Sequence, residues 1–152
     1  MPEVVDAATR SRMMSGIRGK DTKPELLIRK GLFARGFRYR LHSPRVSGKP
    51  DLVLPKYRAT VFVHGCFWHG HGCHLFKMPS TRPQFWAAKL ERNRQRDREV
   101  RAALLETGWR ILVIWECALK GKTRLDPGAM LDTASEWIRG DLKEGEISGR
   151  PS

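Results

Sequence analysis

One loop constrains the fold of this chain more than any other feature. Residues 65–74 read Gly-Cys-Phe-Trp-His-Gly-His-Gly-Cys-His, with too many glycines for a helix or strand and too many cysteines and histidines for an ordinary loop. Its cysteines, Cys66 and Cys73, have one counterpart, Cys117, which follows a strongly apolar segment far along the chain. Mixed cysteine and histidine sets are usual at structural zinc sites. The pattern predicts a zinc ion that ties this glycine-rich loop to the core of the protein.

The histidine ligand of this set is left open by the pattern. His71 is the first candidate, and His69 and His74 compete with it. An alternative interpretation needs no metal, because Cys117 could be a small core residue and the other two cysteines free thiols.

The charge of the chain points to nucleic acid. It has 29 Lys and Arg against 16 Asp and Glu, a net charge of +13 over 152 residues, and a polyanion is the usual partner of such an excess. The length suits a single domain. An odd number of cysteines and a start without a secretory pattern favour the reducing cytoplasm, and no apolar run approaches the ~18 residues of a membrane span. We therefore expect a cytoplasmic protein that binds nucleic acid and no membrane.

Capping and glycine signals predict three helices. Thr22-Lys23-Pro24-Glu25 reads as a capping box and Gly36 ends the periodicity behind it, so a helix is expected at about 23 to 35. Thr81-Arg82-Pro83-Gln84 repeats the signal before a long segment free of Pro and Gly, which predicts a helix at about 82 to 107. Asp126-Pro127 begins a third helix that ends at Gly140.

Three apolar segments predict strands. Residues 51–54 and 60–64 are expected to pair as a hairpin, and residues 110–115 are apolar enough for a central strand. The order of elements predicts an α/β fold, a small mixed sheet flanked by helices. A basic N-terminal arm (1–20) precedes the folded domain (21–140), and residues 141–152 are expected to form a flexible tail.

An acidic and histidine-rich group indicates hydrolysis of a phosphodiester. Asp51 enters one strand of the hairpin, the other strand delivers His64, and His69 follows on the glycine-rich loop. A carboxylate at a strand end is a good ligand for Mg²⁺, and a histidine can accept a proton from attacking water near neutral pH. The alternative is that Asp51 caps a turn and His64 is an ordinary strand residue.

Aromatic residues among positive charges could contact DNA bases. Phe67 and Trp68 lie on the glycine-rich loop, Trp86 starts the basic helix, and Met14 lies on the basic arm. Such side chains can stack on bases or wedge between base pairs, although plain core packing is the alternative for the aromatic ones. The other tryptophans are expected in the core: Trp109, Trp115 and Trp137.

One face of the long helix carries side chains that can hydrogen-bond base edges. Lys89, Asn93 and Asp97 recur every four residues, and Arg96 lies beside them. Lysine donates to guanine, asparagine pairs with adenine and aspartate accepts from cytosine. A solvated helix face with local ion pairs would have the same composition.

Taken together, the chain resembles the very short patch repair (Vsr) mismatch endonucleases over about residues 7 to 140. The segment Gly65-Cys66-Phe67-Trp68-His69 is the most specific part of the resemblance. The other matching residues are Ala8-Thr9-Arg10-Ser11, Met14, Asp21-Thr22, Glu25, Gly48-Lys49-Pro50-Asp51, Tyr57-Arg58, His64, His71, Cys73, Phe76-Lys77, Thr81-Arg82, Phe85-Trp86, Lys89, Asn93, Arg96-Asp97, Gly108-Trp109-Arg110 and Trp115 to Leu119.

The resemblance implies a restriction-endonuclease-like fold and a Mg²⁺-dependent DNA endonuclease of the bacterial cytoplasm, bound to the nucleoid when it acts. Such an enzyme nicks one strand on the 5′ side of the T in a T·G mismatch, which arises when 5-methylcytosine deaminates, and so initiates very short patch repair. The implied partners are double-stranded DNA with that mismatch and helper repair proteins, and a monomer is expected.

The resemblance also implies roles for individual residues. Asp51 would bind Mg²⁺ together with the main-chain carbonyl of Val63, a position where a family member has threonine. His69 would be the general base, His64 would assist at the phosphate, and Glu25 would support the site, in competition with its capping role. The implied DNA wedge is Phe67, Trp68 and Trp86, with Met14 entering from the minor groove, and the implied zinc ligands are Cys66, His71, Cys73 and Cys117. Gly70 and Gly72 replace bulkier residues of that family member, which would loosen the loop without zinc.

Two rival functions are compatible with the same residues. One is a restriction-like nuclease with another DNA target. The other is a mismatch-binding zinc module without catalysis.

Overall fold

The computed structural model describes residues 22–151. They form three helices, α1 (Lys23–Ala34), α2 (Pro83–Glu106) and α3 (Pro127–Arg139). One sheet contains the strands β1 (Arg40–Leu41), β2 (Leu52–Leu54), β3 (Ala59–His64), β4 (Arg110–Trp115) and β5 (Glu144–Ile147), in that order across it. The basic arm predicted at 1–20, with Met14, lies outside the described residues.

The three predicted helices are present within a residue or so of the expected bounds. The Thr22 hydroxyl accepts a hydrogen bond from the Glu25 amide at 3.3 Å and caps α1, and the Asp126 carboxylate caps α3 through the Ala129 amide at 3.0 Å. The start of α2 differs from the prediction. Its N-cap is Arg82, in the left-handed region with φ of 54°, with no side-chain cap, so the proline that follows fixes the start of the helix instead.

The two central pairings bring the site residues to one edge of the sheet. β2 and β3 form the predicted antiparallel hairpin, with Leu52 opposite Val61. β3 runs parallel to β4 over its whole length, and the pairing ends at His64 opposite Trp115. Parallel neighbours need a crossover, which α2 supplies. The chain therefore leaves both strands at the same edge, where the glycine-rich loop and the segment of Cys117 begin.

The predicted flexible tail is wrong for residues 144–147. They form β5, which pairs in parallel with β4 from Ile111↔Glu144 to Ile114↔Ile147. The sequence Glu-Gly-Glu-Ile has little apolar patterning, because an edge strand buries one face in part and is stabilised mainly by its hydrogen bonds to the neighbouring strand. The two-residue strand β1 was likewise not predicted.

The core lies on both faces of the sheet. α1 and α3 cover one face, where the buried residues include Ile28, Leu32, Leu52, Leu54, Val61, Leu112, Ile114, Met130 and Ile138. α2 covers the other, with Leu104 packed on Val53, Phe62 and Ile111. Trp137 is buried as predicted, whereas Trp109 and Trp115 are only half-buried. Within 22–151, none of the helices combines the length and apolar character needed to cross a membrane.

Candidate active site

Two carboxylates and a histidine meet where β2 begins. One oxygen of Asp51 accepts a hydrogen bond of 2.6 Å from the main-chain amide of Val63 on β3. Glu25 of α1, only 2% exposed, forms an ion pair with Arg29. Nε2 of His42 lies 3.2 Å from the Glu25 carboxylate and 3.5 Å from Oδ1 of Asp51. One ligand atom from each of Glu25, His42 and Asp51 falls within 4.8 Å of the others.

Burial raises the pKa of Asp51 to about 8, and the nearby Glu25 carboxylate adds to that rise, while the Val63 amide opposes it. Two neighbouring carboxylates that are largely withdrawn from water repel each other when both are ionised. A divalent cation with a preference for oxygen ligands would stabilise both ionised forms. The donor set at this position therefore fits such a cation.

The main chain and the side chain of Glu25 make different contacts. Its main-chain amide takes part in the cap with Thr22, whereas its carboxylate faces Arg29 and His42. Because different atoms of Glu25 serve the cap and face the site, the two roles of this residue do not compete.

His42 was missed from the sequence. It follows the last residue of β1, and its main-chain amide donates to the Asp51 carbonyl at 3.3 Å, which continues the β1–β2 register by one residue. Its φ of 46° is unusual for a residue other than glycine. Nothing in the local sequence predicts β1, so the only signal for His42 is this register.

A pair of histidines continues the site from β3 into the glycine-rich loop. The rings of His64 and His69 stack with centroids 3.7 Å apart and planes 8° apart. Nδ1 of His69 lies 2.5 Å from Oδ2 of Asp97 on α2. The Asn93 amide, one turn earlier, donates to the Trp68 carbonyl at 2.9 Å. Helix α2 therefore positions the loop through two polar contacts.

These contacts change how we interpret the polar face of α2. Asn93 and Asp97 were predicted to contact base edges, but both have partners within the protein. Their side chains contact the His69 ring and the Trp68 carbonyl, and contact with DNA stays a prediction for them. Lys89 and Arg96 line a cleft beside His69, and contact with DNA stays a prediction for them.

His64 is largely withdrawn from water. Burial lowers its pKa to about 3, and the neighbouring His69 contributes, while Asp97 acts in the opposite sense. Its Nδ1 atom is buried without a hydrogen-bond partner among residues 22–151. The ring is therefore neutral at physiological pH, so the assistance at the phosphate predicted for it would not come from a positive charge.

Asp51 and the histidine pair line the same cleft. It has a volume of about 720 Å³, and Asp51, Val63, His64, His69 and Asp97 contribute to its wall. An adjoining cleft shares Val63, His64 and His69 and adds Glu25 and Trp68, together with the basic side chains Lys89, Arg92 and Lys120, while Arg96 lines both clefts. Basic groups thus border the place where the acidic group and the histidines converge.

The predicted wedge residues form one aromatic cluster. The ring centroid of Phe67 lies 5.1 Å from that of Trp68 and 5.5 Å from that of Trp86, and the two tryptophans are 6.1 Å apart. All three are half-buried. They pack on one another beside the histidine pair, so packing and contact with a base remain compatible.

The cysteines and one histidine form a compact centre. One ligand atom from each of Cys66, His71, Cys73 and Cys117 lies within 4.8 Å of the others. Sγ of Cys117 is 3.7 Å from Nδ1 of His71, close to the edge of about 3.6 Å expected between sulfur and nitrogen ligands of a tetrahedral zinc ion. The competing candidates have other partners: His69 contacts Asp97, and Nδ1 of His74 lies 3.4 Å from the Thr123 hydroxyl.

Further contacts around this centre hold the Cys117 and His71 side chains in place. The Gly149 amide donates to Sγ of Cys117 at 3.3 Å, and the His71 ring stacks on Trp115 at 4.1 Å. Burial raises the pKa values of the Cys66 and Cys117 thiols, so thiolates at this position need a cation to be stable. The chemistry of the four donors fits a soft or borderline metal ion.

The chain is similar to characterised endonucleases over nearly its full length. A family model described as DNA mismatch endonuclease Vsr matches residues 2–75. The DNA mismatch endonuclease Vsr of Escherichia coli (strain K12) is 42% identical over 147 residues, which covers 97% of this chain and 94% of that protein.

Two further relatives carry names that describe nicking. The type II nicking enzyme V.NmeAIP of Neisseria meningitidis serogroup A is 45% identical over 122 residues, 80% of this chain and 87% of that protein. The type II nicking enzyme V.XorIIP of Xanthomonas oryzae pv. oryzae is 44% identical over 119 residues, 78% of this chain and 88% of that protein.

Proposed function

The chain belongs to the Vsr family of DNA mismatch endonucleases, and from this premise we propose that it nicks one strand of duplex DNA 5′ to the T of a T·G mismatch. That mismatch arises when 5-methylcytosine deaminates, and the nick would initiate very short patch repair. The described elements, a small mixed sheet with helices on both faces, are compatible with the restriction-endonuclease-like fold that this proposal includes. We place the enzyme in the cytoplasm, as a monomer on DNA.

The observation that carries the proposal is the convergence of Asp51 and His69 on one cleft. They are connected in short steps, because Asp51 accepts from the Val63 amide, His64 is the next residue, and its ring stacks on His69. A carboxylate that can hold a cation therefore faces the same space as an imidazole that can accept a proton. Hydrolysis of a phosphodiester needs both groups.

The Asp51 carboxylate and the main-chain carbonyl of Val63 would hold Mg²⁺, with the Glu25 carboxylate as support. When bound, Mg²⁺ would polarise a phosphate oxygen and make an attacking water more acidic. Valine in place of threonine leaves the main-chain oxygen in place. The buried carboxylate pair, with its mutual repulsion, is the feature of this chain that favours such an ion.

His69 would accept the proton of the attacking water. Its contact with the Asp97 carboxylate occupies Nδ1, which leaves Nε2 free to take the proton and stabilises the imidazolium that results. The neutral, buried ring of His64 stacks against His69 and limits the orientations it can adopt. In this proposal His64 and Asp97 would position the base.

A zinc ion on Cys66, His71, Cys73 and Cys117 would hold the loop that carries this base. Three sulfurs and one nitrogen are a usual set at structural zinc sites, and all four positions are filled by the protein, which is typical of a structural rather than a catalytic ion. The loop between the first two ligands contains Phe67, Trp68 and His69. The ion would thus fix the wedge and the base together.

The aromatic cluster would open the duplex next to the mismatch. Phe67, Trp68 and Trp86 offer a stacking surface beside the cleft, while Lys89 and Arg96 supply positive charge for phosphates. Met14 would enter from the minor groove.

A strand-specific nicking assay tests the proposal. One duplex with a labelled T strand carries T·G, its control carries T·A, and each is incubated with and without Mg²⁺. We expect one nick 5′ to the T, only in the T·G duplex and only with Mg²⁺, and no nick by Asp51→Asn.

The rival functions give different results in the same assay. Comparable cutting of both duplexes would favour a nuclease with another target. Retention of the T·G duplex in a mobility shift with Mg²⁺, without a nick, would favour a binding module.

A further inference from the structure

His42 occupies a position in the carboxylate group that the proposed mechanism does not use. Its Nε2 atom lies 3.2 Å from each oxygen of Glu25 and 3.5 Å from Oδ1 of Asp51. The imidazole thus points between the two carboxylates rather than past them. The side chain is half-buried.

The backbone holds the ring at this place. The His42 amide pairs with the Asp51 carbonyl directly across the hairpin of β1 and β2, and the left-handed φ of 46° turns the chain immediately afterwards. A left-handed conformation is unfavourable for a residue with a Cβ. His42 is therefore placed by two constraints that are independent of its contacts with Glu25 and Asp51.

The distances from His42 to the two carboxylates are close to those between ligands of one ion. Adjacent ligands of an octahedral ion at about 2.1 Å lie about 3.0 Å apart, and Nε2 of His42 lies 3.2 Å from the Glu25 carboxylate and 3.5 Å from that of Asp51, with one atom of each residue within 4.8 Å of the others. Arg29 forms an ion pair with Glu25, and Asp51 adds a second carboxylate whose negative charge a cation could balance. Hydrogen bonding alone would also bring Nε2 to the carboxylates, so the two roles need an experiment that separates them.

We propose that His42 is a nitrogen ligand of the catalytic metal ion, beside Asp51 and Glu25, and that this site therefore binds Mn²⁺ and later first-row divalent ions more tightly than Mg²⁺. The inference rests on the proposed function, because it concerns the same site. Carboxylate and water oxygens suit Mg²⁺, whereas an imidazole nitrogen adds affinity for transition metals, in an order that rises from Mn²⁺ to Cu²⁺. Metal choice thus depends on His42, a residue with no role in accepting the proton.

The test uses the full-length, zinc-loaded protein with Mn²⁺ as a paramagnetic probe. Electron spin echo spectroscopy detects a nitrogen bonded directly to Mn²⁺, and an electron paramagnetic resonance titration gives the affinity, with Mg²⁺ as a diamagnetic competitor. The variants are His42→Gln and Asp51→Asn, and His69→Gln is the matched control, since it removes a histidine that lines the same cleft as Asp51.

We expect a directly bonded nitrogen in the wild type and in His69→Gln, and none in His42→Gln. In His42→Gln the Mn²⁺ affinity should fall about tenfold or more while the Mg²⁺ affinity changes less than about threefold. A bound Mn²⁺ without a coupled nitrogen in the wild type, or a coupling that persists in His42→Gln, would overturn the inference. A wild-type spectrum without a coupled nitrogen overturns the inference even if a variant fails to fold.

Failure of this inference is distinguishable from failure of the proposed function. If Asp51→Asn loses Mn²⁺ binding while the wild type lacks a coupled nitrogen, Asp51 keeps its role and His42 loses the one inferred here. If Asp51→Asn binds Mn²⁺ as the wild type does, the metal site itself is misplaced and both are wrong.

Discussion

Nδ1 of His69 lies 2.5 Å from Oδ2 of Asp97, which joins the glycine-rich loop to α2 through a histidine and a carboxylate. The two residues are 28 positions apart in the sequence, and their contact is made possible by the crossover from β3 to β4. A carboxylate in this place selects one tautomer of the ring and fixes its orientation. The relationship gives α2 a direct influence on the proposed base.

Asp97→Asn should slow nicking of the T·G duplex by about 10²-fold, because a positioned base contributes at least that much and the amide cannot stabilise the imidazolium. Binding of the duplex should change little. Single-turnover nicking and mobility shifts measure the two quantities. Asp132→Asn, an exposed aspartate on α3 that contacts Arg35, is the matched control, and a normal rate in Asp97→Asn would remove Asp97 from the mechanism.

The buried His64 ring should make the fold less stable in acid. Its pKa is about 3 in the folded protein against about 6.5 ordinarily, so below pH 6.5 the unfolded chain binds a proton that the folded one does not. The stability that the neutral His64 ring contributes to the fold is therefore fully present above pH 6.5 and declines from there toward pH 3. Thermal unfolding of wild type and His64→Phe at pH 7 and 5 measures it. The stability of His64→Phe relative to wild type should be greater at pH 5 than at pH 7. A stability difference between the two proteins that does not change with pH would contradict the expected pKa of His64.

Cys73→Ser should lose the bound metal and lower the midpoint of thermal unfolding by about 10 °C, since a structural zinc ion contributes several kcal/mol to folding. Elemental analysis and a thermal scan provide the readouts. His74→Gln changes the next residue, whose ring lies by Thr123 outside the ligand set, and should keep its zinc. Full zinc content in Cys73→Ser, or zinc loss in His74→Gln, would refute the assignment of ligands.

The two glycines inside the loop should respond differently to alanine. Gly70 has φ of +63°, and a Cβ there would come within 2.2 Å of the Arg94 guanidinium, whereas a Cβ on Gly72 meets nothing within 4 Å. Gly70→Ala should therefore cost about 1–2 kcal/mol of stability or more, and Gly72→Ala close to none. Chemical denaturation of the zinc-loaded proteins compares them. Equal effects would mean that the loop adopts another conformation.

Trp68→Ala should weaken binding of the T·G duplex by about tenfold and that of a T·A duplex far less, since stacking on a base contributes about 1–3 kcal/mol. Fluorescence anisotropy with both duplexes gives the ratio. Phe33→Ala removes an aromatic residue of α1 that is 53% exposed, and it should leave both affinities unchanged. Parallel losses on the two duplexes would exclude Trp68 as a discriminating wedge.

Local signals were sufficient to predict the helices. Thr22 and Asp126 cap α1 and α3 because a cap depends on residues only three positions apart. The three cysteines of the possible metal site were also accessible, since Cys66 and Cys73 lie within eight residues and Cys117 is the only other cysteine, but the pattern left the histidine open. These features can be predicted without the tertiary structure, apart from the position of strand β4, which precedes Cys117.

Features that depend on pairing between distant segments were not predictable in the same way. β5 is stabilised by hydrogen bonds to β4 rather than by its own pattern, so its sequence resembles a tail. His42 reaches the carboxylates only through a two-residue strand. The contacts of Asn93 and Asp97 with Trp68 and His69 depend on the position of the loop, which the composition of the helix face does not predict.

The register of β3 and β4 places Cys66 and Cys117 two residues beyond the final pair, His64 and Trp115. An ion shared by these cysteines would close the open end of a parallel ladder, at the point from which the segment with Phe67, Trp68 and His69 leaves it. Recognition of damage and scission of the strand would then be lost together when the ion is removed. A nuclease built in this way would not cut matched DNA after losing the ion, because it would lose its cleavage activity together with its recognition of the mismatch.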